Sequence, residues 1–276
     1  MKQKIKTMDL YKNPRKILKD LKKHGFSGDS SIDLDTLNKY DQLHYHGKDA
    51  VLECIKRLRI RNTDKVLEVG AGWGGPSRII AKETGANVTA LELQKDYSEI
   101  GAELTQRTSL SSLVNHVTDD YLSVRFEKTD FDAIVSWLAL YHIPERETYT
   151  KKSFDILKNG GSFFVEDLII GKNSEPKMQE ELKKTLYANS LVTYEAYITS
   201  LQRSGFTISY VKNMSQSWLN FTENRYKTLI ANKGAYIKNH GPKGYETIET
   251  FYRSAFHYFE KGIIGGIKVF CKKIKR

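Results

Sequence analysis

Gly70, Gly72, Gly74 and Gly75 put four glycines into six positions, directly after Glu68 and Val69. Glycine at this density lets a backbone turn tightly and lets a ligand approach it closely. Glu92 follows 22 positions after Gly70 (92 − 70). An acid about 20 residues beyond such a loop can accept hydrogen bonds from ribose hydroxyls. Gly70, Gly72 and Gly75 also satisfy the dinucleotide pattern G-x-G-x-x-G. Glu68 departs from that pattern, and no Lys-Ser/Thr pair follows the loop to hold phosphates. The residues therefore imply a nucleoside-bearing cofactor.

Further chemistry is available beyond the loop. His142 and Tyr45 could accept or relay a proton. Each also has a purely structural reading, His142 bonding a backbone carbonyl and Tyr45 packing as an apolar ring. Trp137, Tyr141 and Tyr45 could cage a methylated ammonium or form an apolar wall. His44 and His46 stand two apart without further ligand types nearby, which argues against a metal site.

The elements that must position these residues are legible from pattern. Val66 to Val69 is a nearly continuous apolar run, as in a strand buried on both faces. Ser77 to Ala81 opens a helix whose amides face the loop, and Asn87 to Leu91 is a second strand ending at Glu92. A helix is expected over 95–107, a strand over 114–117, a strand over 131–136 and a helix over 146–157. The Trp137–His142 turn then lies at the carboxyl end of a strand, where ligands sit in open α/β sheets. A strand is expected at 162–165, a polar helix over 172–190, a helix over 194–203 and a strand over 206–211. Helices over 215–238 and 245–259 and a last strand over 262–271 complete the chain. Near the start, Leu10, Ile17 and Leu21 would share one helix face.

Composition bounds the function classes. The chain has 276 residues, a hydrophobic share of 39% and a charged share of 28%, as expected of a globular enzyme. No apolar run is long enough to span a bilayer, and the N-terminus carries no secretory signal. Only two cysteines occur, which suits a reducing cytoplasm and excludes a disulfide scaffold. The net charge of +11 is spread along the chain, as in a lysine-rich solvated surface.

The stretch Leu67-Glu68-Val69-Gly70-Ala71-Gly72-Trp73-Gly74 resembles motif I of the class I methyltransferases that use S-adenosylmethionine. The whole chain resembles the group that includes sarcosine/dimethylglycine and phosphoethanolamine N-methyltransferases. The shared residues are Tyr40 to Gly47, an aromatic segment that closes over the cofactor in that group, Ser136 followed by His142, the approach Leu157 to Gly161, and the paired glycines Gly265 and Gly266. The resemblance implies an α/β fold, a Rossmann-like and mostly parallel sheet with an antiparallel last strand and a helical cap. It divides the chain into N-terminal helices and a closing segment (1–60), a cofactor-binding core (61–171), and cap insertions with the last two strands (172–276). It implies S-adenosylmethionine as cofactor, converted to S-adenosylhomocysteine, with Glu68, Gly70 and Gly72 at its methionine end and Glu92 at its ribose. Asp120 would meet the adenine, and His46, Leu93, Tyr121 and Trp137 would complete the cofactor site. Methyl transfer to a small molecule follows, an amine foremost, with His142 and Tyr45 as catalytic residues and no metal. Expected partners are a small-molecule substrate and at most a second copy of the chain, without nucleic acid. Two departures stand out. Leu138 occupies the position, two after the serine, where relatives carry an acid, and no phosphate-binding tyrosine–arginine cluster is evident around 187–197.

Dispersal of the charge predicts weak binding to tRNA and single-stranded DNA. A gel shift at physiological salt checks this; retention at sub-micromolar protein contradicts it.

Overall fold

The computed structural model describes Met8 and residues 11–126 and 131–274; Leu10 lies outside them. A seven-stranded sheet organises the chain. Its central strand β1 (Lys65–Val69) is buried at four of five positions, as its apolar run requires. It is flanked in parallel by β2 (Asn87–Glu92) and β4 (Phe131–Trp137). Beyond them lie β3 (Val114–Thr118) and β5 (Leu157–Ile170). Strand β7 (Ile264–Lys272) runs antiparallel between β5 and β6 (Thr207–Asn213). The order is β3-β2-β1-β4-β5-β7-β6. The direction of winding reverses between β1 and β4, so a crevice opens outside their carboxyl ends.

Helices α3 (Gly47–Leu58), α4 (Gly75–Thr84), α5 (Lys95–Arg107) and α6 (Arg146–Ile156) accompany this sheet. One apolar layer gathers Leu67, Ile134, Phe163 and Val269, the other Val66, Ile80, Val135 and Phe270. Cys54 and Cys271 are buried and free. No helix of the described residues is long and apolar enough to cross a membrane.

The region expected to cap the cleft divides. Helix α8 (Tyr194–Arg203) buries Tyr197 and Leu201 in the first apolar layer and is part of the core. The cap comprises α7 (Pro176–Thr185), α9 (Ser215–Ala231) and α10 (Lys233–Glu260), which bends at Gly241 ahead of Pro242. Gly266 lets α9 reach β7, because a Cβ there would stand 2.2 Å from the Trp218 ring.

The N-terminal segment is pinned by a buried ion pair. Helix α1 (Lys16–Lys23) places Ile17 and Leu21 against Trp73 and Tyr97. Arg78 on α4 donates to Asp41 at 2.8 Å, both side chains being fully buried. Arg78 also donates to the Gly101 carbonyl and to Thr105. Asp41→Ala leaves a buried guanidinium without its counter-charge and is expected to cost about 3–5 kcal/mol. Lys48→Ala, at an exposed pair, should cost under about 1 kcal/mol. Urea unfolding of both variants tests the contrast, and equal losses refute it.

Candidate active site

The glycine loop turns sharply where β1 ends. Gly70, Gly72 and Gly74 all have positive φ. A Cβ on Gly70 would stand 2.2 Å from the Ala139 Cβ. Glycine is therefore required for the turn after β4 to lie against the loop. Glu92 closes the loop from the end of β2. Its carboxylate accepts from the Gly72 amide at 2.9 Å and the Gln94 amide at 2.8 Å. Burial raises its pKa, and these amides oppose the shift.

Glu68 is engaged differently. Its carboxyl is buried and accepts from the Ser77 hydroxyl at 2.5 Å, so it secures the start of α4. Tyr121 is likewise committed to the core, its hydroxyl 2.7 Å from Ser153. Asp120 is exposed, with one oxygen accepting from the Leu122 amide. Leu43 and Leu93 are 41% and 37% exposed. They flank the loop, Leu43 next to Gly72 and Leu93 next to Glu92. A nucleoside fits this surface: two apolar side chains to cover, a carboxylate at its ribose, and backbone with no side chain in the way.

The turn after β4 is strained. Leu138 adopts φ 54°, a left-handed conformation that costs a branched residue about 1–3 kcal/mol. Its amide is held by the Glu166 carbonyl. Asp167 accepts from the Tyr141 amide and the Tyr197 hydroxyl, which fixes the Leu140–His142 turn. His142 Nδ1 donates to the Tyr187 carbonyl at 2.9 Å. A carbonyl only accepts, so Nδ1 carries the proton and Nε2 keeps a lone pair. Nε2 is buried and without a hydrogen-bond partner among the described residues. Burial lowers the His142 pKa to about 4, so the ring is neutral at physiological pH.

A cleft opens beside these groups, lined by Leu43, Tyr45, Tyr97, Leu138, Tyr141 and Leu168 among others. His142 lies behind this lining, its ring 3.9 Å from Tyr141 and 6.2 Å from Tyr11, both of which line the cleft. Tyr45 lies in the cleft, stacked on Trp218 at 4.4 Å. Burial pushes its hydroxyl up to about 12. His46 sits at the start of α3 and bonds Ser217 at 2.9 Å. His44 faces Trp137 at 5.6 Å and bonds Gln42. Trp137 Nε1 is buried without a partner among the described residues. The structure thus brings Tyr45 and Leu138 into one cleft, packs His142 behind its Tyr141 and Tyr11, and sets the Gly72–Glu92 cradle at its edge. Tyr11, Lys16, Tyr97 and Arg225 join this cleft although no motif marks them.

Residues 39–269 match the family described as mycolic acid cyclopropane synthetase. The chain belongs to that family. Its sheet is the Rossmann-like sheet of class I methyltransferases, and the family is S-adenosylmethionine-dependent. A sterol 24-C-methyltransferase of Aspergillus fumigatus is 37% identical over 109 residues, covering 40% of this chain and 29% of that protein. The phosphoethanolamine N-methyltransferase of Plasmodium falciparum is 24% identical over 207 residues, covering 74% and 76%. The match with the first sterol relatives spans only 29% to 44% of their length. Among solved structures, a putative sarcosine dimethylglycine methyltransferase from Galdieria sulphuraria superposes with TM-score 0.77 at 13% identity, covering 94% of this chain and 98% of that one. A Haemonchus contortus phosphoethanolamine N-methyltransferase, solved with S-adenosylhomocysteine, gives 0.78 at 18% identity, covering 85% and 55%.

Glu68 supplies a pH test. Burial raises its pKa from 4.5 to about 8. A raised folded-state pKa gives stability that is complete below about pH 4.5 and is lost as the pH rises toward 8. Glu68→Gln keeps the neutral shape and does not titrate. Its stability relative to wild type should rise by about 1.4 kcal/mol per pH unit across that window. Denaturant melts of both proteins at about pH 5 and about pH 8 read the difference, and a pH-independent difference refutes it.

Proposed function

We propose that this chain transfers a methyl group from S-adenosylmethionine to a small-molecule acceptor held in the cleft. The observation that carries the reading is the adjacency of two features: a glycine loop closed by Glu92, and a tyrosine-lined cleft with a neutral histidine packed behind its tyrosines. The family assignment supports it. When bound, the cofactor supplies an activated methyl group on a sulfonium. Gly70 and Gly72 would hold its methionine end, Glu92 the ribose hydroxyls and Asp120 the adenine edge.

The protein's own contribution is positioning, worth about 7–11 kcal/mol in well-oriented reactions, and handling of one proton. A nitrogen or oxygen nucleophile must lose its proton in order to attack. We assign that role to His142, because the Tyr187 carbonyl fixes the tautomer in which the buried Nε2 keeps its lone pair. Tyr45, with its hydroxyl pKa raised, is a relay or orienting group and not itself an anion. Among described residues no aspartate or glutamate lines the cleft, and Leu138 stands where the resemblance to N-methyltransferases implies an acid. That lining favours a less polar acceptor, an aromatic amine or a phenol, over an aliphatic ammonium. Its relatives include a sterol C-methyltransferase and a phosphoethanolamine N-methyltransferase, so the acceptor atom is set by each protein's own cleft. The two buried free cysteines suit a reducing cytoplasm.

Two measurements test this. His142→Ala should lower kcat about 100- to 10,000-fold on the best acceptor of a phenol and amine panel, with cofactor affinity nearly intact. With His142 titrating near 4, the wild-type rate should not fall through protonation of this group until the pH approaches that value. Full turnover in His142→Ala removes it from the reaction. Glu92→Ala should weaken S-adenosylmethionine binding by about 1–3 kcal/mol, read by calorimetry; unchanged affinity in a folded variant removes Glu92 from the cofactor site.

A further inference from the structure

The cleft contains two cations that none of the chemistry above uses. Lys16 projects from α1, its ammonium 5.6 Å from the Trp73 ring. Arg225 projects from α9, its guanidinium 4.8 Å from the Phe221 ring and donating to the Tyr252 hydroxyl at 3.1 Å. Both line the same cleft. Neither has a carboxylate within ion-pair distance among the described residues. The acid nearest in sequence to Lys16, Asp20, is taken by His240 at 3.0 Å. Burial lowers the Lys16 pKa; Asp20 opposes the shift, and Arg225 is close enough to add a smaller push downward.

Both side chains are half-buried, and two like charges on one apolar cleft repel each other unless an anion joins them. Here the cleft around them is otherwise apolar or phenolic, with Tyr11, Tyr97 and Tyr252 at its wall. Tyrosine hydroxyls beside a lysine and an arginine form a donor set for an oxyanion. We propose that Lys16 and Arg225 bind an acidic group of the acceptor, a carboxylate or a phosphate, and so select acceptors that pair an apolar body with an anionic head. This rests on the cleft's being the acceptor site. An anion bound between α1 and α9 would also fasten the N-terminal segment to the cap, since these two helices supply the cations.

The test uses the full chain with S-adenosylhomocysteine present and three matched probes: 4-hydroxyphenylacetate, 4-hydroxybenzylphosphonate and uncharged 4-ethylphenol. Calorimetry on wild type, Lys16→Met, Arg225→Met and Arg225→Lys gives the affinities. Wild type should bind at least one acidic probe about tenfold to a hundredfold more tightly than 4-ethylphenol. Whichever acid is preferred separates carboxylate from phosphate. Lys16→Met and Arg225→Met should each erase most of that preference, Arg225→Lys should restore part of it, and 4-ethylphenol and S-adenosylhomocysteine affinities should not change. Acidic probes that bind no more tightly than 4-ethylphenol, or not at all, overturn the proposal. So does a loss of S-adenosylhomocysteine binding in Lys16→Met or Arg225→Met, which would assign the cations to the cofactor's own carboxylate. Failure of wild type to bind S-adenosylhomocysteine would instead fall on the methyltransferase reading itself.

Discussion

The buried contact between Asp41 and Arg78 is the constraint on which the cleft depends. Arg78 stands on the helix that leaves the glycine loop, and Asp41 on the segment that leads to Tyr45. A pair with no exposed surface cannot be replaced by water on either side, so the segment is docked or the guanidinium is stranded. The network extends through Thr105 to His116, which burial keeps neutral with a pKa near 3. One ion pair thereby couples the loop, the second crossover helix and the third strand to the segment that supplies Leu43 and Tyr45. Helix α1, with Lys16, packs onto the same surface through Ile17 and Leu21.

On the opposite side the cleft is set by the strained turn after β4. Leu138 is left-handed with its amide held by the Glu166 carbonyl, and the next residue, Ala139, lies against Gly70 of the glycine loop. Asp167, raised to about 6 by burial, holds Tyr141 in place. Adjacent residues of β5 thus grip the turn, one through its backbone and one through its side chain. Of the five non-glycine residues with positive φ among the described residues, Leu138 lines the cleft, His46 and Tyr187 adjoin its lining residues Tyr45 and Leu186, and Arg59 and Ser109 lie elsewhere. Strain of this kind persists where the surroundings enforce it, and at Leu138 it falls in the lining of the cleft itself.

Much of this was legible in the sequence. The order strand, glycine loop, helix, strand, acid is a local pattern, and the first three strands and the helix over 95–107 follow it closely. The long β5 was not legible, because Leu157 to Gly161, which reads as a helix stop, is drawn into the ladder. The break between 238 and 245 was legible, and Gly241 leaves the helical conformation there ahead of Pro242; the helix end at Ala231 was not. Glu68 illustrates a different limit. Its position in motif I is plain, but its partner Ser77 is chosen by how α4 starts. Lys16 and Arg225 lie 209 positions apart (225 − 16) in helices rich in lysine and polar residues. No spacing announces that they meet; only the docking of α1 and the cap on one cleft brings them together.

The central claim is that the glycine loop and Glu92 bind a nucleoside cofactor at the edge of this cleft. Calorimetric titration of the wild-type chain with S-adenosylhomocysteine tests it most directly. The account predicts a single saturable site, with S-adenosylmethionine competing for it and NAD not. A folded protein that takes up NAD in preference, or that shows no heat of binding with millimolar S-adenosylhomocysteine, would contradict it.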